Sequence, residues 1–290
     1  KQLAKLETLI LKGLTLKDVS TLESIQTLKK LDFSETHFGN YDVLAKLESL
    51  EDLVLRNAAI RSTESLAGLV NLEMLDLSGT AITSLAGLQT MKALKKLDIS
   101  GTKLQSLEPV RLLKALKTLH FRSGQAPTLE PLSGLTSLEE LALGSSSVVG
   151  VAAIAKMTGL KELRLDGTAL KDLGPLAFLK RLRVLDLSWT KVEDLRPLAN
   201  IAGLETLMLH GASLMSLTGI EGLIRLRRLD LGNTRVIDIQ PLAQLRQLRA
   251  LDLSRSNVID LGALSRLSYL EDLNLGGTTA VILSPLYRLK

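Results

Sequence analysis

Apolar residues recur along this chain with a period of 22 positions. The first position of the period is leucine in thirteen consecutive cases: Leu6, Leu28, Leu50, Leu72, Leu94, Leu116, Leu138, Leu160, Leu182, Leu204, Leu226, Leu248 and Leu270. A second leucine column follows three residues later, from Leu9 to Leu273, and it is equally unbroken. A strict period of this length indicates that the chain folds as a stack of short structural repeats.

Each repeat combines two kinds of apolar spacing. Positions 1, 4 and 6 are apolar, as in Leu72, Leu75 and Leu77, and the alternation over positions 4 to 6 predicts a short strand with its leucines inward. Position 16 is proline in six repeats: Pro109, Pro131, Pro175, Pro197, Pro241 and Pro285. Such a proline predicts a turn followed by a short helical or 3₁₀ segment. We therefore expect an α/β solenoid shaped as a horseshoe or arc, with about thirteen repeats, a parallel sheet on the concave face, and turns with short 3₁₀ or α segments on the convex face.

These residues carry a family resemblance. The run at 75–80, Leu-Asp-Leu-Ser-Gly-Thr, with Ile82 and Leu85 after it, resembles the leucine-rich repeat. The repeat length and the segment at 194–200 are similar to the subclass shared by the leucine-rich regulator of protein phosphatase 1 and the bacterial internalins. That subclass usually has Asn at position 9, where its amide bonds the backbone of the neighbouring coil. Most repeats here have Thr, whose hydroxyl can make part of that bonding, whereas Ala58, Gly124 and Ala212 cannot, so we expect a weaker ladder at those repeats.

The repeats are expected to depend on one another for stability. An isolated repeat buries too little apolar surface to offset the entropy of ordering its residues, and stacking supplies the shared core. We therefore predict one leucine-rich-repeat domain over residues 1–290. The repeat pattern begins and stops part-way, so we expect this domain to be truncated at both ends.

Composition narrows the possible partners. There is no cysteine and no apolar run long enough to span a membrane, so we predict no disulfide, no cysteine-based metal site and no membrane span. The net charge is +5, with acidic and basic residues interspersed. A nucleic-acid surface would interleave basic and aromatic residues, and aromatics make up only 3% of this chain, so we predict no nucleic-acid partner.

The polar residues do not indicate catalysis. The register places none of the histidines beside a nucleophile with an acidic orienter, and no glycine-rich phosphate loop follows a strand, so we expect no enzyme and no cofactor. Aspartate fills position 5 in six repeats: Asp32, Asp76, Asp98, Asp186, Asp230 and Asp252. Evenly spaced single carboxylates do not converge on one ion, so we predict no metal site. Their mutual repulsion calls for cationic neighbours, and Lys95 and Lys96 are placed beside two of them.

Trp189 is the most unusual residue on the predicted concave face. It is the sole tryptophan and occupies position 8, where most repeats carry Gly, Ser or Asn. The register places Met208 and His210 in the next repeat, Arg183 in the same repeat and Arg164 in the one before. Because Trp and Arg often anchor protein interfaces, we predict that these five residues form the centre of a partner-binding site. The alternative is that Trp189 only covers its neighbours.

A second candidate site lies around His120 and Arg122. Here two successive repeats lose both the aspartate at position 5 and the threonine at position 9, and the segment at 144–150 is rich in Gly and Ser. The alternative is neutral variation in a tolerant repeat.

The sequence therefore predicts a non-catalytic scaffold that binds a folded protein through its concave face. The nearest analogy is a cytosolic regulator, which slightly favours the cytoplasm and leaves secretion open. The rival hypothesis is the target-binding domain of a microbial surface adhesin or secreted effector, whose anchoring or catalytic domain lies outside this chain. Neither the partner nor the oligomeric state is indicated.

Overall fold

The computed structural model describes residues 5–125, 128–280 and 282–288. The chain divides into two compact units, Lys1–Ala142 and Leu143–Lys290. Each unit repeats the same pattern of a three-residue strand, a tight turn and a short 3₁₀ helix. Within the described part of the chain, no helix has the length and apolar character needed to cross a membrane.

The first unit contains seven strands, in sequence order, among its described residues. They are β1 Thr8–Ile10, β2 Lys30–Asp32, β3 Asp52–Val54, β4 Met74–Asp76, β5 Lys96–Asp98, β6 Thr118–His120 and β7 Glu140–Ala142. Each strand pairs in parallel with the next, and residues 22 apart face each other, as Leu31 faces Leu53. The 3₁₀ helices of this unit are Ser20–Ser24, Asp42–Lys46, Glu64–Leu66, Ala86–Thr90, Glu108–Leu112 and Glu130–Leu132.

In the part of the second unit that the structure describes, there are six further strands. They are β8 Glu162–Arg164, β9 Val184–Asp186, β10 Thr206–Met208, β11 Arg228–Asp230, β12 Ala250–Asp252 and β13 Asp272–Asn274. They pair in parallel with the same offset of 22, as Leu185 faces Leu207. The 3₁₀ helices of this unit are Ala152–Lys156, Gly174–Phe178, Arg196–Leu198, Ile220–Gly222, Gln240–Gln244, Gly262–Arg266 and Ser284–Arg288.

The predicted parallel strands and 3₁₀ segments are confirmed, with one shift in position. The strands occupy positions 3 to 5 of the repeat, one residue earlier than the apolar alternation indicated. The hydrogen-bond ladder nevertheless runs further, because the Leu77 N–H donates to the Asp98 carbonyl and the Gly79 N–H donates to the Ser100 carbonyl, both at 2.8 Å. Leucines at positions 1, 4 and 6 are buried in the middle of each unit. We call the exposed side of the strands the open face.

Position 8 has a left-handed backbone in every repeat. The residues with positive φ at this position are Gly13, Glu35, Asn57, Gly79, Gly101, Ser123, Ser145, Gly167, Trp189, Gly211, Asn233, Arg255 and Gly277. Only glycine adopts this conformation without steric cost, and Asn tolerates it better than most residues. The frequency of Gly and Asn at position 8 therefore follows from the backbone.

The hydroxyls at position 9 bond differently from the expectation. The Thr80 hydroxyl donates to the Leu77 carbonyl of its own repeat at 2.6 Å, and Thr190 bonds Leu187 in the same way. Thr36 reaches the preceding repeat, where it donates to the Leu11 carbonyl at 3.0 Å. Threonine at position 9 therefore mainly closes the turn of its own repeat and contributes little to bonding between coils.

Candidate functional site

The aspartates at position 5 are explained by the turns that follow the strands. Asp76 accepts a hydrogen bond from the backbone N–H of Ser78 at 2.9 Å. The same bond to the residue two places on is made by Asp32, Asp98, Asp186, Asp230 and Asp252. Such Asx turns fix the start of a turn locally. The cationic partners also differ from the expectation, because Lys95 pairs with Glu73 and Asp76 pairs with Arg56.

Trp189 is exposed at the edge where the strands end. Its backbone is left-handed, with φ 59°, and 59% of the residue is accessible to solvent. The indole lies across Gly211, where an added β-carbon would stand only 2.4 Å from Cε3 of the ring. Glycine at 211 thus provides the space in which the indole rests, and the outer side of the ring remains available.

His210 is the neighbour of Trp189 on the next repeat. The two ring centroids are 5.2 Å apart and the rings are inclined at 59°. The backbone N–H of Trp189 also donates to the His210 carbonyl at 2.7 Å. On its other side, Nδ1 of His210 lies 3.3 Å from Oδ1 of Asp230. The arrangement is an aromatic pair backed by a carboxylate, which leaves the indole as the accessible part.

Met208 lies on the open face at the last residue of β10. It lines a shallow depression together with Arg228, Asp230, Ala250 and Asp252. Ala250 has the smallest side chain among these lining residues. Met208 and His210 both adjoin Asp230, so the structure brings these two predicted residues to the same part of the sheet.

The two predicted arginines occupy different surroundings. Arg164 is exposed and forms an ion pair with Glu162 of its own strand. Arg183 lies at the opposite edge, where the strands begin, and its Nη1 is 3.0 Å from Oε1 of Glu205. Because Arg183 and Trp189 are at positions 2 and 8, they share a repeat but lie at opposite ends of its strand. The repeat register predicted Arg183 and Trp189 on the same surface, but the structure does not bring them into contact.

His120 lies between two carboxylates of the first unit. Its Nε2 is 2.8 Å from Oε1 of Glu140 in β7, and its Nδ1 is 3.5 Å from Oδ2 of Asp98 in β5. The bond to Asp98, followed by that to Glu140, raises the pKa of His120 although partial burial opposes it. Burial alone would raise the pKa of Asp98, but hydrogen bonds from His120 and Ser100 lower it below its usual value.

Arg122 stands two residues after His120, in the turn that follows β6. Its backbone N–H donates to Oγ of Ser100 at 3.2 Å, and its carbonyl accepts from the Gly101 N–H at 2.8 Å. The arginine is partly buried. His120 therefore ends β6 and Arg122 stands in the turn that follows it, and the nearby carboxylates hold His120 in place.

An apolar column near the edge where the strands end was missed by the sequence analysis. Met215, Ile237 and Ile259 occupy position 12 in three successive repeats and are 63%, 57% and 58% exposed. Neighbouring repeats hold polar residues there, including Lys171 and Glu193. The sequence contains a signal for this column. Three successive repeats carry a large apolar residue at position 12, where most other repeats carry a polar or small residue.

Comparison with known proteins supports the repeat assignment. The model of the LRR domain of the endo-beta-N-acetylglucosaminidase EndoS matches residues 50–190, and a model of two leucine-rich repeats matches residues 224–266. Together these matches cover more than half of the chain. No curated protein sequence matches the chain significantly.

Solved structures share the fold at low sequence identity. An internalin from Listeria monocytogenes is 23% identical over 98% of this chain and 84% of its own, with a TM-score of 0.91. A leucine-rich repeat protein from Leptospira interrogans is 24% identical over 100% of this chain and 77% of its own, also with a TM-score of 0.91. TLR13 in its complex with ssRNA13 is 22% identical over 96% of this chain and 44% of its own, with a TM-score of 0.77.

Three findings agree on the family. The leucines recur every 22 residues, each leucine of a column faces the equivalent leucine of the next repeat across parallel strands, and both matching family models describe leucine-rich repeats. Domains of this family commonly mediate protein interactions and are typically non-catalytic. The chain is a leucine-rich repeat protein with the fold of the internalins.

Proposed function

We propose that this chain is a non-catalytic interaction domain that binds a folded protein partner on the open face and on the edge where the strands end. Trp189 lies at the centre of the contact, with Met208 and His210 beside it. Arg164 contributes from the preceding repeat. The second predicted site, around His120 and Arg122, would serve as an additional contact.

The conformation and exposure of Trp189 carry this proposal. A left-handed backbone costs a non-glycine residue roughly 1–2 kcal/mol, and bulky residues are rare there. Most of the indole is nevertheless left in water, so its packing on Gly211 uses only part of its apolar surface. A residue that is unfavourable for folding and largely exposed is explained when a partner buries it, and tryptophan is a frequent interface anchor.

Two settings for this function were open from the sequence, a cytosolic regulator and a microbial adhesin or effector. The match to the LRR domain of an endo-beta-N-acetylglucosaminidase over residues 50–190 favours the second. The fold shared with an internalin and with a Leptospira protein agrees with it. We propose that the repeats select a protein target for a bacterial surface or secreted protein.

The direct test compares Trp189→Ala with the wild type in affinity capture followed by mass spectrometry, and then in measured affinity for each captured protein. Loss of the anchor should weaken binding about tenfold or more, which corresponds to about 1.4 kcal/mol. Phe178→Ala is the matched control, because Phe178 is an equally exposed aromatic residue of the second unit that lies on a 3₁₀ helix.

Tryptophan fluorescence gives an independent measurement, since Trp189 is the only tryptophan. A partner that covers the indole should shift its emission to shorter wavelength. Full-strength binding by Trp189→Ala, or a partner that binds without changing the emission, would refute the assignment of Trp189 as the anchor.

A further inference from the structure

A row of basic side chains lies at the edge of the second unit where the strands begin. These residues occupy positions 21, 22 and 2 of successive repeats and are all exposed. We call them the basic edge: Lys161, Lys180, Arg181, Arg183, Arg225, Arg227, Arg246 and Arg249. Five of them line one shallow groove together with Gly203 and Glu205. This surface lies at the opposite ends of the strands from Trp189.

The acidic residues at the same positions do not balance this charge. In the second unit they are Glu205 and Glu271. Glu205 already pairs with Arg183 and Glu271 with Arg249. Among the described residues, no ion pair is made by Arg225, Arg227 or Arg246. The basic edge therefore keeps exposed guanidinium groups that form no ion pair with any residue that the structure describes.

The first unit shows that such an excess is not required by the repeat. At the same positions its lysines are Lys5, Lys29, Lys92, Lys95, Lys114 and Lys117, and its acids are Glu7, Glu48, Glu51, Glu73 and Glu139. Three of these lysines pair across adjacent strands, as Lys95 does with Glu73 at 2.6 Å. A charge-paired edge is thus compatible with the same backbone, and the unpaired arginines of the second unit call for an external anion.

We propose that the basic edge is a second binding surface, and that its ligand is an extended acidic segment of a protein. Guanidinium groups bind carboxylates in a bidentate manner, which suits aspartate and glutamate side chains. Neighbouring repeats are about 4.8 Å apart, so the five repeats involved span about 19 Å, or roughly six residues of extended peptide.

Two features favour a peptide over a uniform polyanion. Glu205 stands within the row, between Arg183 and Arg227. Its carboxylate would repel a polymer that carries a negative charge on every unit, whereas a peptide can place a neutral residue there. Ile224 and Tyr269 are also exposed on this edge, at 56% and 54%, and offer apolar contacts to a peptide side chain. A single aromatic residue supplies no stacking platform for successive bases.

The test uses a fluorescein-labelled peptide of about eight residues, in which Asp alternates with Ser around one central Leu, long enough to span the edge. Binding is followed by fluorescence anisotropy at low salt. The wild type should bind this peptide, should not bind the same peptide with Lys in place of Asp, and should lose affinity as salt is added. Heparin and a single-stranded oligonucleotide are measured in parallel.

The informative variant is Arg225→Glu combined with Arg227→Glu and Arg246→Glu, which breaks no ion pair seen in the described structure. It should weaken peptide binding about tenfold or more. The matched control reverses three other exposed arginines of the second unit and changes the net charge equally: Arg235→Glu, Arg255→Glu and Arg266→Glu. The control should retain nearly all binding, and circular dichroism establishes that both variants fold.

Three results would overturn the proposal. Equal losses in the two triple variants would show that net charge alone attracts the peptide. Tighter binding of heparin or of the oligonucleotide than of the peptide would assign the edge to a polyanion of another class. Loss of peptide binding in Trp189→Ala would place the peptide at the other edge of the strands. If Trp189→Ala still binds the peptide, the basic edge binds independently of the site proposed around Trp189.

Discussion

Removing one core leucine should cost more in the middle of the second unit than at its last strand. Leu207 in β10 is fully buried, and Leu185 and Leu229 pair with it on either side. Leu207→Ala removes about three methylene-sized groups, worth about 2.4 kcal/mol at ~0.8 kcal/mol each. The cavity left between two neighbouring repeats raises the expected loss to about 3–4 kcal/mol.

Leu273 occupies the same position in β13 and provides the comparison. It is only partly buried, and within the described residues its strand pairs with β12 alone. Part of its side chain is already in water, and the space left by Leu273→Ala opens to solvent instead of forming a closed cavity. We therefore expect this change to cost about 1 kcal/mol.

Urea unfolding, followed by far-ultraviolet circular dichroism, measures both losses. The Leu207→Ala midpoint should fall well below that of Leu273→Ala, with similar slopes. Amide hydrogen exchange then shows whether the destabilisation is local, because repeat arrays can unfold in parts. Equal losses in the two variants would refute the idea that stability comes from neighbours on both sides of a repeat.

Four further predictions test individual turns and contacts. Ser146→Ala should leave the free energy of unfolding unchanged or raise it, because the buried Ser146 hydroxyl has no hydrogen-bond partner among the described residues. Ser256→Ala should lower it by about 1 kcal/mol in the same urea assay, because its hydroxyl bonds a carbonyl. Hydrogen bonds to Asp98, and secondly to Glu140, raise the pKa of His120 above its value in the unfolded chain. Protonated His120 therefore stabilises the fold below about pH 6.5, and this stabilisation is lost as the pH rises through the raised pKa. The urea midpoint should therefore fall more in the wild type than in His120→Gln between about pH 6 and about pH 9, and parallel profiles would contradict this role. Gly211→Ala should displace the Trp189 indole and change its fluorescence, with a loss of roughly 1–2 kcal/mol from the positive φ; an unchanged spectrum would show that the ring does not rest there.

The fold could be predicted from the sequence because its determinants are periodic. Each leucine column marks one buried contact per repeat, and proline at position 16 marks the start of the 3₁₀ turn. The left-handed position 8 was not predicted, although Gly and Asn at that position are its signal. The role of position 5 was also missed, because Asp76 looks the same in sequence whether its carboxylate binds a lysine or the Ser78 N–H.

The candidate site was harder to predict, because the repeat register shows on which surface of the protein a residue lies but not how far it is from other residues. Trp189 and His210 are brought together by adjacent repeats and adjacent positions. Arg183 shares the repeat of Trp189, yet strand β9 and the start of the following turn separate them, and its guanidinium bonds Glu205. Ion pairing depends on rotamers of long side chains, which no column of the sequence specifies.

The constant offset of 22 between paired residues has a genetic consequence. Loss of any 22 consecutive residues from within a unit joins two equivalent positions, so each remaining residue still meets a partner of its own column. Loss of a number that is not a multiple of 22 disrupts the repeat in which it falls, because that repeat can no longer match both of its neighbours position by position. Unequal recombination between repeats of the gene can therefore shorten or lengthen the protein in whole coils. An event of this kind between Trp189 and Ile259 would change the spacing of these two residues and leave the repeat pairing intact.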